Sequence, residues 1–192
     1  VLKTAPEMIY SASPSSLRPY PMKRAKKYPF LQLQRRRFVL NFENASTASG
    51  VPSEKDFYRW AWLAVKQRYR RADISLILLD EEEARAYNRD YRGKDYATNV
   101  LSFALNEGEI LPDQFSDGLC GDLIICPQVV FKEAAEQGKT AEQHFAHLTL
   151  HGTLHLMGYD HIEEHDAEEM EALEIRLMQA LNYPNPYRED EY

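Results

Sequence analysis

Residues 140–158 read TAEQHFAHLTLHGTLHLMG and predict a long helix with a defined beginning and end. Thr140 can cap the first turn with its hydroxyl, and Gln143, three residues further on, completes a capping box. Gly158 suits the left-handed backbone conformation in which helices commonly end. This one segment also contains four of the six histidines of the chain.

The segments before this helix predict strands and helices in alternation. Residues 119–126 are mostly apolar and predict a strand, and Pro127 suits the first turn of a helix that Gly138 ends. Farther upstream, the apolar patterns predict strands at 37–42, 73–79 and 99–105, a helix from about Ser53 and a helix at 81–92. Downstream, residues 163–181 predict a helix that buries Met170, Leu173, Leu177 and Leu181.

These elements predict an α+β fold. The earlier strands alternate with helices, whereas the third and fourth strands follow one another, so we expect a mixed sheet of about four strands with four to five helices. The length of 192 residues fits one domain. We expect that domain at residues 35–192, preceded by a flexible basic arm at residues 1–34 that is rich in proline and serine.

Composition restricts the classes of function. The formal net charge is −7, and the first 34 residues carry six cations against Glu7, so the rest of the chain is still more acidic. Nucleic-acid binding would therefore need a local basic cleft. Cys120 and Cys126 cannot form a disulfide framework, which favours a reducing, cytoplasmic compartment. No apolar run approaches the ~18 residues of a membrane helix, so we expect no membrane partner.

The histidines form the pattern H-x-x-x-H-x-x-G-x-x-H at His151, His155 and His161. Residues four apart on a helix lie on one face, so His151 and His155 can reach one cation. Gly158 can turn the chain back, which lets His161 approach the same point. Three neutral imidazoles with an open fourth position are the ligands of a catalytic zinc, so we expect one Zn²⁺ per chain in a zincin-like site on the helix and the following turn.

The other histidines receive different interpretations. His147 shares the four-residue spacing, but it would lie ~12 Å from His155 along the helix axis, too far for both to bind one zinc together with His151. We therefore expect His147 to be packed or to lie behind the ligands. We expect His144 and His165 at the surface.

Gly152 separates this pattern from that of the metzincin proteases. Those enzymes have a glutamate as general base directly after the first histidine. Glycine within a helix costs ~1 kcal/mol relative to alanine, so Gly152 indicates close packing or a ligand near the backbone. Gly121, next to Asp122 in the predicted fourth strand, could mark a close approach of the backbone to the site or could be an ordinary strand residue.

The segment from Asn88 to Asp95, NRDYRGKD, ends the predicted helix at 81–92. Taken alone, it is typical of an exposed, salt-bridged helix end. The guanidinium group of an arginine in this segment could nevertheless form two hydrogen bonds to oxygens of a phosphodiester. It could also neutralise the negative charge that builds up on these oxygens while the bond is cleaved.

Four segments together resemble the YbeY endoribonuclease family: NRDYRGKD from Asn88, TNVLSF from Thr98, GDLII from Gly121 and HGTLHLMGYDH from His151. The resemblance covers about residues 35–183. It implies a zinc-dependent, single-strand-specific endoribonuclease of ribosomal RNA maturation, particularly of the small-subunit RNA, and of ribosome quality control. It also implies His151, His155 and His161 as zinc ligands, Arg92 as the essential arginine of the cleft, and the small ribosomal subunit and its assembly factors as partners.

Two alternatives remain open from the sequence. One is a metalloprotease-like hydrolase with an unusual base, and the other is a non-catalytic ribosome assembly factor with a structural metal. The attacking nucleophile of a ribonuclease, water or the 2′-hydroxyl, is also open. Tyr91, Tyr96 and Phe103 could stack on bases, but we expect them in the core.

Overall fold

The computed structural model of the chain describes residues 37–105, 118–159 and 164–187. The predicted arm at residues 1–34 and the third predicted ligand, His161, lie outside these ranges. The described elements are β1 (Arg37–Asn44), α1 (Glu54–Val65), β2 (Arg71–Leu78), α2 (Glu81–Arg92), β3 (Val100–Ala104), β4 (Gly118–Ile125), α3 (Pro127–Glu136), α4 (Ala141–Leu156) and α5 (Glu164–Ala180).

The four strands form one mixed sheet in the order β1-β2-β4-β3. β1 pairs with β2 and β2 with β4 in parallel, whereas β3 is an edge strand that runs antiparallel to β4. In register, Leu40 lies opposite Ile74 and Ile74 opposite Gly121. The four-stranded mixed sheet and five helices confirm the predicted α+β class.

The main core lies on one face of the sheet. β2 alternates strictly, with Ala72, Ile74, Leu76 and Leu78 buried, as expected of a strand with one face against a core. α1 and α4 pack against each other, and α4 also contacts β3, β4, α3 and α5. α4 is therefore the central helix of the domain.

Two glycines allow α4 to approach the sheet closely. A Cβ atom at Gly152 would lie 2.9 Å from Cδ2 of Leu123 and 3.1 Å from Oγ of Ser102. A Cβ atom at Gly121 would lie 2.7 Å from Cδ2 of Leu156. Gly152 thus marks close helix–sheet packing, the first of the two explanations offered by the sequence, and the same explanation holds for Gly121.

The described part of the chain contains no helix that is both long and apolar enough to cross a lipid bilayer. The same part contains two free cysteines, the buried Cys126 and the half-buried Cys120.

Candidate metal centre

α4 is buried on nearly every side, and its open stripe consists of histidines. Between His144 and Leu156, only His147, His151 and His155 are partly exposed. The capping box predicted at the start of the helix is present: Oγ1 of Thr140 accepts from the backbone N–H of Gln143 at 3.2 Å, and the side chain of Gln143 accepts from the backbone N–H of Thr140 at 3.0 Å. The fixed start and the packed body of α4 hold this stripe in place.

His151 and His155 direct the same ring nitrogen toward each other. Their Nε2 atoms lie 3.1 Å apart. Two nitrogens that each lie 2.0–2.1 Å from a tetrahedral zinc are about 3.3 Å apart, so this separation matches a pair of ligands on one ion. Two facing lone pairs also repel each other unless a cation lies between them.

The other nitrogen of each ring, Nδ1, makes a hydrogen bond. Nδ1 of His151 donates to Oε1 of Glu174 at 2.7 Å, and Nδ1 of His155 donates to the backbone carbonyl of Tyr159 at 3.0 Å. Since a carboxylate and a carbonyl can only accept, both Nδ1 atoms carry the proton, and in the neutral rings both Nε2 atoms keep a lone pair. Hydrogen bonds of this kind orient imidazoles that bind metals and raise their basicity.

Glu174 is a residue of the site that the sequence analysis missed. Its side chain is fully buried, and its carboxylate accepts from Nδ1 of His151, from Nε2 of His147 at 3.2 Å and from the hydroxyl of Tyr187. Burial by itself would raise the pKa of Glu174, but the hydrogen bonds from His147 and His151 outweigh it and lower the pKa to about 2. The buried group is therefore a carboxylate anion at neutral pH.

The position of Glu174 in the sequence indicates that it is buried. It lies in α5 among Met170, Leu173 and Leu177, the apolar residues predicted to be buried, all of which the structure buries. A lone carboxylate inside an apolar stripe needs a partner, and the histidines of α4 supply it.

Gly158 shapes the end of the site. It has φ of +87°, the left-handed conformation that the sequence predicted. The backbone N–H of Tyr159 bonds to the carbonyl of Leu154 at 3.1 Å and that of Gly158 to the carbonyl of His155 at 2.9 Å, which is a Schellman ending. This turn brings the carbonyl of Tyr159 back to the ring of His155.

His147, His151 and Glu174 also form a group that can hold a metal ion, since each offers a ligand atom and these atoms lie within 4.8 Å of one another. In the arrangement present, however, Nε2 of His147 faces the carboxylate. Its Nδ1 is buried and has no hydrogen-bond partner among the described residues. Burial lowers the pKa of His147, against the opposing effect of Glu174, so the ring is neutral and donates its Nε2 proton. His147 and His151 thus bind the same carboxylate, and the exclusion of His147 from the ligands stays a prediction.

The remaining histidines differ from one another. The prediction that His144 is at the surface is wrong: it is buried, and its Nε2 lies 2.8 Å from Oε2 of Glu133 on α3. The sequence offered no local sign of this pair, because Glu133 lies in another helix. His165 is exposed, as expected.

Arg92 is the last residue of α2 and is exposed. Arg85 and Arg89 on the same helix are paired, with Asp95 and Asp90 at 2.7 Å and 2.8 Å. Arg92 makes no ion pair with any residue that the structure describes. Helices α2 and α4 both adjoin the edge strand β3: Tyr91 contacts Phe103, and Gly152 abuts Ser102.

The histidine stripe borders a cavity of about 360 Å³. His147, His151, Glu133, Lys139 and Tyr187 line part of it. Polar side chains among its lining residues offer hydrogen-bonding groups for a ligand next to His151.

The fold and the site together define an α+β protein whose central helix carries a histidine-based centre able to hold a metal ion. Comparison with known proteins identifies the family. A family model described as Endoribonuclease YbeY matches residues 42–182, and the chain belongs to this family.

Individual relatives agree with this assignment. The chain is 82% identical over 169 residues to Endoribonuclease YbeY of Neisseria meningitidis serogroup B, covering 88% of this chain and 100% of the relative. It is 53% identical over 152 residues to Endoribonuclease YbeY of Stutzerimonas stutzeri, covering 79% and 92%. The solution structure of TM1509 from Thermotoga maritima has a TM-score of 0.50 at 22% identity, covering 78% of this chain and 99% of that one, and supports the fold.

Proposed function

We propose that this chain is a zinc-dependent endoribonuclease that cleaves phosphodiester bonds of single-stranded RNA during ribosomal RNA maturation and ribosome quality control. Family membership supports the endoribonuclease activity. The observation that carries the metal dependence is the pair of facing Nε2 atoms of His151 and His155, whose Nδ1 atoms both have acceptors.

His151, His155 and His161 hold the zinc in this proposal. The two described ligands fit the ion, because neutral imidazoles with an engaged Nδ1 are common zinc ligands. The turn at Gly158 leads the chain back toward His155 and so toward the position that His161 must reach. A three-histidine zinc with an open position supplies an activated water and polarises a phosphoryl oxygen.

Arg92 binds the scissile phosphate. Its guanidinium is exposed and has no carboxylate partner within the described ranges, unlike Arg85 and Arg89. A planar fork of donors can contact two phosphate oxygens and stabilise charge that accumulates in the transition state.

The packing of Gly152 argues against a metzincin-like protease. A base in that position would have to face the metal, but position 152 faces Leu123 and Ser102 of the sheet, without space even for a Cβ atom. The structure therefore gives no support at this position to the protease alternative.

The biological setting is the cytoplasm, with the small ribosomal subunit and its assembly factors as partners. Two free cysteines in the described ranges fit a reducing compartment. Ribosomal RNA is the substrate that the family resemblance favours.

The deciding experiment measures bound zinc and cleavage of a labelled single-stranded RNA for three proteins. In the wild type we expect zinc and cleavage; in His155→Ala, loss of both; in Arg92→Ala, retained zinc with cleavage reduced about a hundredfold or more. Arg59→Ala, an exposed arginine on α1, is the matched control and should behave like the wild type.

Two results would overturn the proposal. If the zinc-free wild type cleaves RNA as fast as the loaded protein, the metal has no catalytic role. If His155→Ala matures ribosomal RNA in proportion to the amount of folded protein, the metal is structural and the assembly-factor alternative holds. A cyclic 2′,3′-phosphate on the product would assign the attack to the 2′-hydroxyl.

A further inference from the structure

Three tyrosines near the C-terminal end of α2 are exposed. Tyr87 is 39%, Tyr91 67% and Tyr96 54% exposed. The prediction that Tyr91 and Tyr96 belong to the core is therefore wrong. Packing in the core does not explain why rings of this size are so exposed.

The ring of Tyr91 is nevertheless held in place by its neighbours. It stacks on Tyr87, one helical turn earlier, with centroids 5.9 Å apart and planes at 11°. It also meets Phe103 of β3 with centroids 5.1 Å apart and planes at 66°. An exposed ring held by two others has already lost much of its rotamer freedom, so a ligand that stacks on it has less entropy to lose.

The backbone at Tyr96 is also fixed. The side-chain amide of Asn88, a buried residue of α2, donates to the carbonyl of Tyr96 at 2.8 Å. Next to it, Arg85 forms a two-pronged ion pair with Asp95, both bonds at 2.7 Å. The loop after α2 is thus tied to the helix, and Tyr96 is presented from a fixed position.

Charge separates the two ends of α2. The first turn holds Glu81, Glu82 and Glu83. At the other end, Arg92 and Lys94 are exposed and have no carboxylate partner among the residues that the structure describes. In a chain with a net charge of −7, these two cations supply local positive charge of the kind that nucleic-acid binding requires.

We propose that Tyr87, Tyr91 and Tyr96, with Arg92 and Lys94, form a binding surface for single-stranded RNA, here called the tyrosine surface. The inference rests on the proposed function and adds the path of the substrate strand. Bases stack on the rings, and phosphates contact the two cations, the combination found in proteins that bind single strands without strong sequence preference.

The tyrosine surface also explains a preference for single strands. Bases in a duplex already stack on each other and present only their edges, so they cannot lie flat on Tyr91 or Tyr96. Tyr91 and Arg92 both lie in the last turn of α2, so one strand that stacks on the ring can also reach the guanidinium with a phosphate.

The test compares the affinity of zinc-loaded variants for a fluorescent 2′-O-methyl oligoadenylate, measured by anisotropy, with a gel to show that the probe stays intact. Tyr91→Ala should weaken binding roughly tenfold, and Tyr91→Phe should bind like the wild type because the ring is kept. Tyr58→Ala removes a tyrosine of 41% exposure from α1 and is the matched control. Thermal melting and zinc content of each variant show that folding and the metal centre are intact.

The outcomes separate this inference from the proposed function. If Tyr91→Ala binds the probe as tightly as the wild type while the wild type cleaves RNA, the tyrosine surface is not the strand path and the proposed function stands. If Tyr91→Ala weakens binding but the wild type cleaves no RNA, the inference stands and the proposed function fails. If Tyr91→Ala lowers the affinity for a duplex probe as much as the affinity for the single strand, the stacking mechanism is wrong.

Discussion

Nδ1 of His151 on α4 lies 2.7 Å from Oε1 of Glu174 on α5, and that carboxylate is fully buried. The contact joins two helices, which the hydrogen bond from Nε2 of His147 to the same carboxylate also connects. It fixes the tautomer of His151, because the proton must be on Nδ1, and it places a negative charge behind the ring. Both effects make Nε2 a better electron-pair donor to a cation.

Glu174→Gln should therefore weaken zinc binding about 10- to 100-fold, because the amide lacks the charge that raises the basicity of His151. Competition with a chromophoric zinc chelator measures this directly, without reference to catalysis. Glu168→Gln changes an exposed glutamate of the same helix and should leave zinc affinity unchanged. Equal affinities for Glu174→Gln and the wild type would show that the carboxylate does not act on the metal centre.

Gly152→Ala should destabilise the protein by about 1–3 kcal/mol, although alanine favours helices, because its Cβ would lie 2.9 Å from Leu123 and 3.1 Å from Ser102. Urea unfolding of both proteins gives the difference. Adding Leu123→Val shortens the obstructing side chain, so the double variant should lose less stability than the sum of the single changes. Strict additivity would mean that the two positions do not collide.

Gly158→Ala should cost about 1–2 kcal/mol, because alanine is strained at φ of +87°. It should also weaken zinc binding, since the turn holds the Tyr159 carbonyl against His155. Gly158→Asn should have the smaller effect on both quantities, because asparagine tolerates this conformation better. If Gly158→Ala loses stability but keeps its zinc affinity, the helix ending does not determine the orientation of His155.

Local patterns were sufficient for much of this structure. The start of α4 at Thr140 and its end at Gly158 follow from short-range capping chemistry, and the observed helix, Ala141–Leu156, fits between them. The four-residue spacing of His151 and His155 likewise fixes their common face on any helix. Such features depend on neighbours in sequence and can be read from it.

Features that depend on contacts between distant elements were missed. Glu174 contacts His151 only because α5 packs on α4. The partner of the buried His144 is Glu133, which lies on another helix, α3. The exposure of Tyr91 likewise depends on how α2 lies against β3, where its ring contacts Phe103. Sequence patterns gave the elements, but the partners of these side chains depend on how the elements are arranged.

A final prediction concerns acid stability and Asp80, which joins three segments. Its carboxylate accepts from Ser46 at 2.5 Å, from Thr47 at 2.8 Å and from Gln128 at 2.5 Å. Hydrogen bonds from Ser46, Gln128 and Thr47 lower the pKa of Asp80 from 3.8 to about 2. Because the folded-state pKa is the lower one, the stabilisation is complete above the unfolded value and is lost as the pH falls through the folded value.

Asp80→Asn should therefore destabilise the protein at pH 7, and its deficit relative to the wild type should shrink as the pH falls from about 4 toward 2. Urea unfolding of both proteins with a chelator present, so that zinc release does not contribute, measures the deficit at each pH. Glu82→Gln, an exposed change in the first turn of α2, is the control for a general loss of negative charge. A deficit that stays constant down to pH 2 would show that the three hydrogen bonds do not depend on the charge of Asp80.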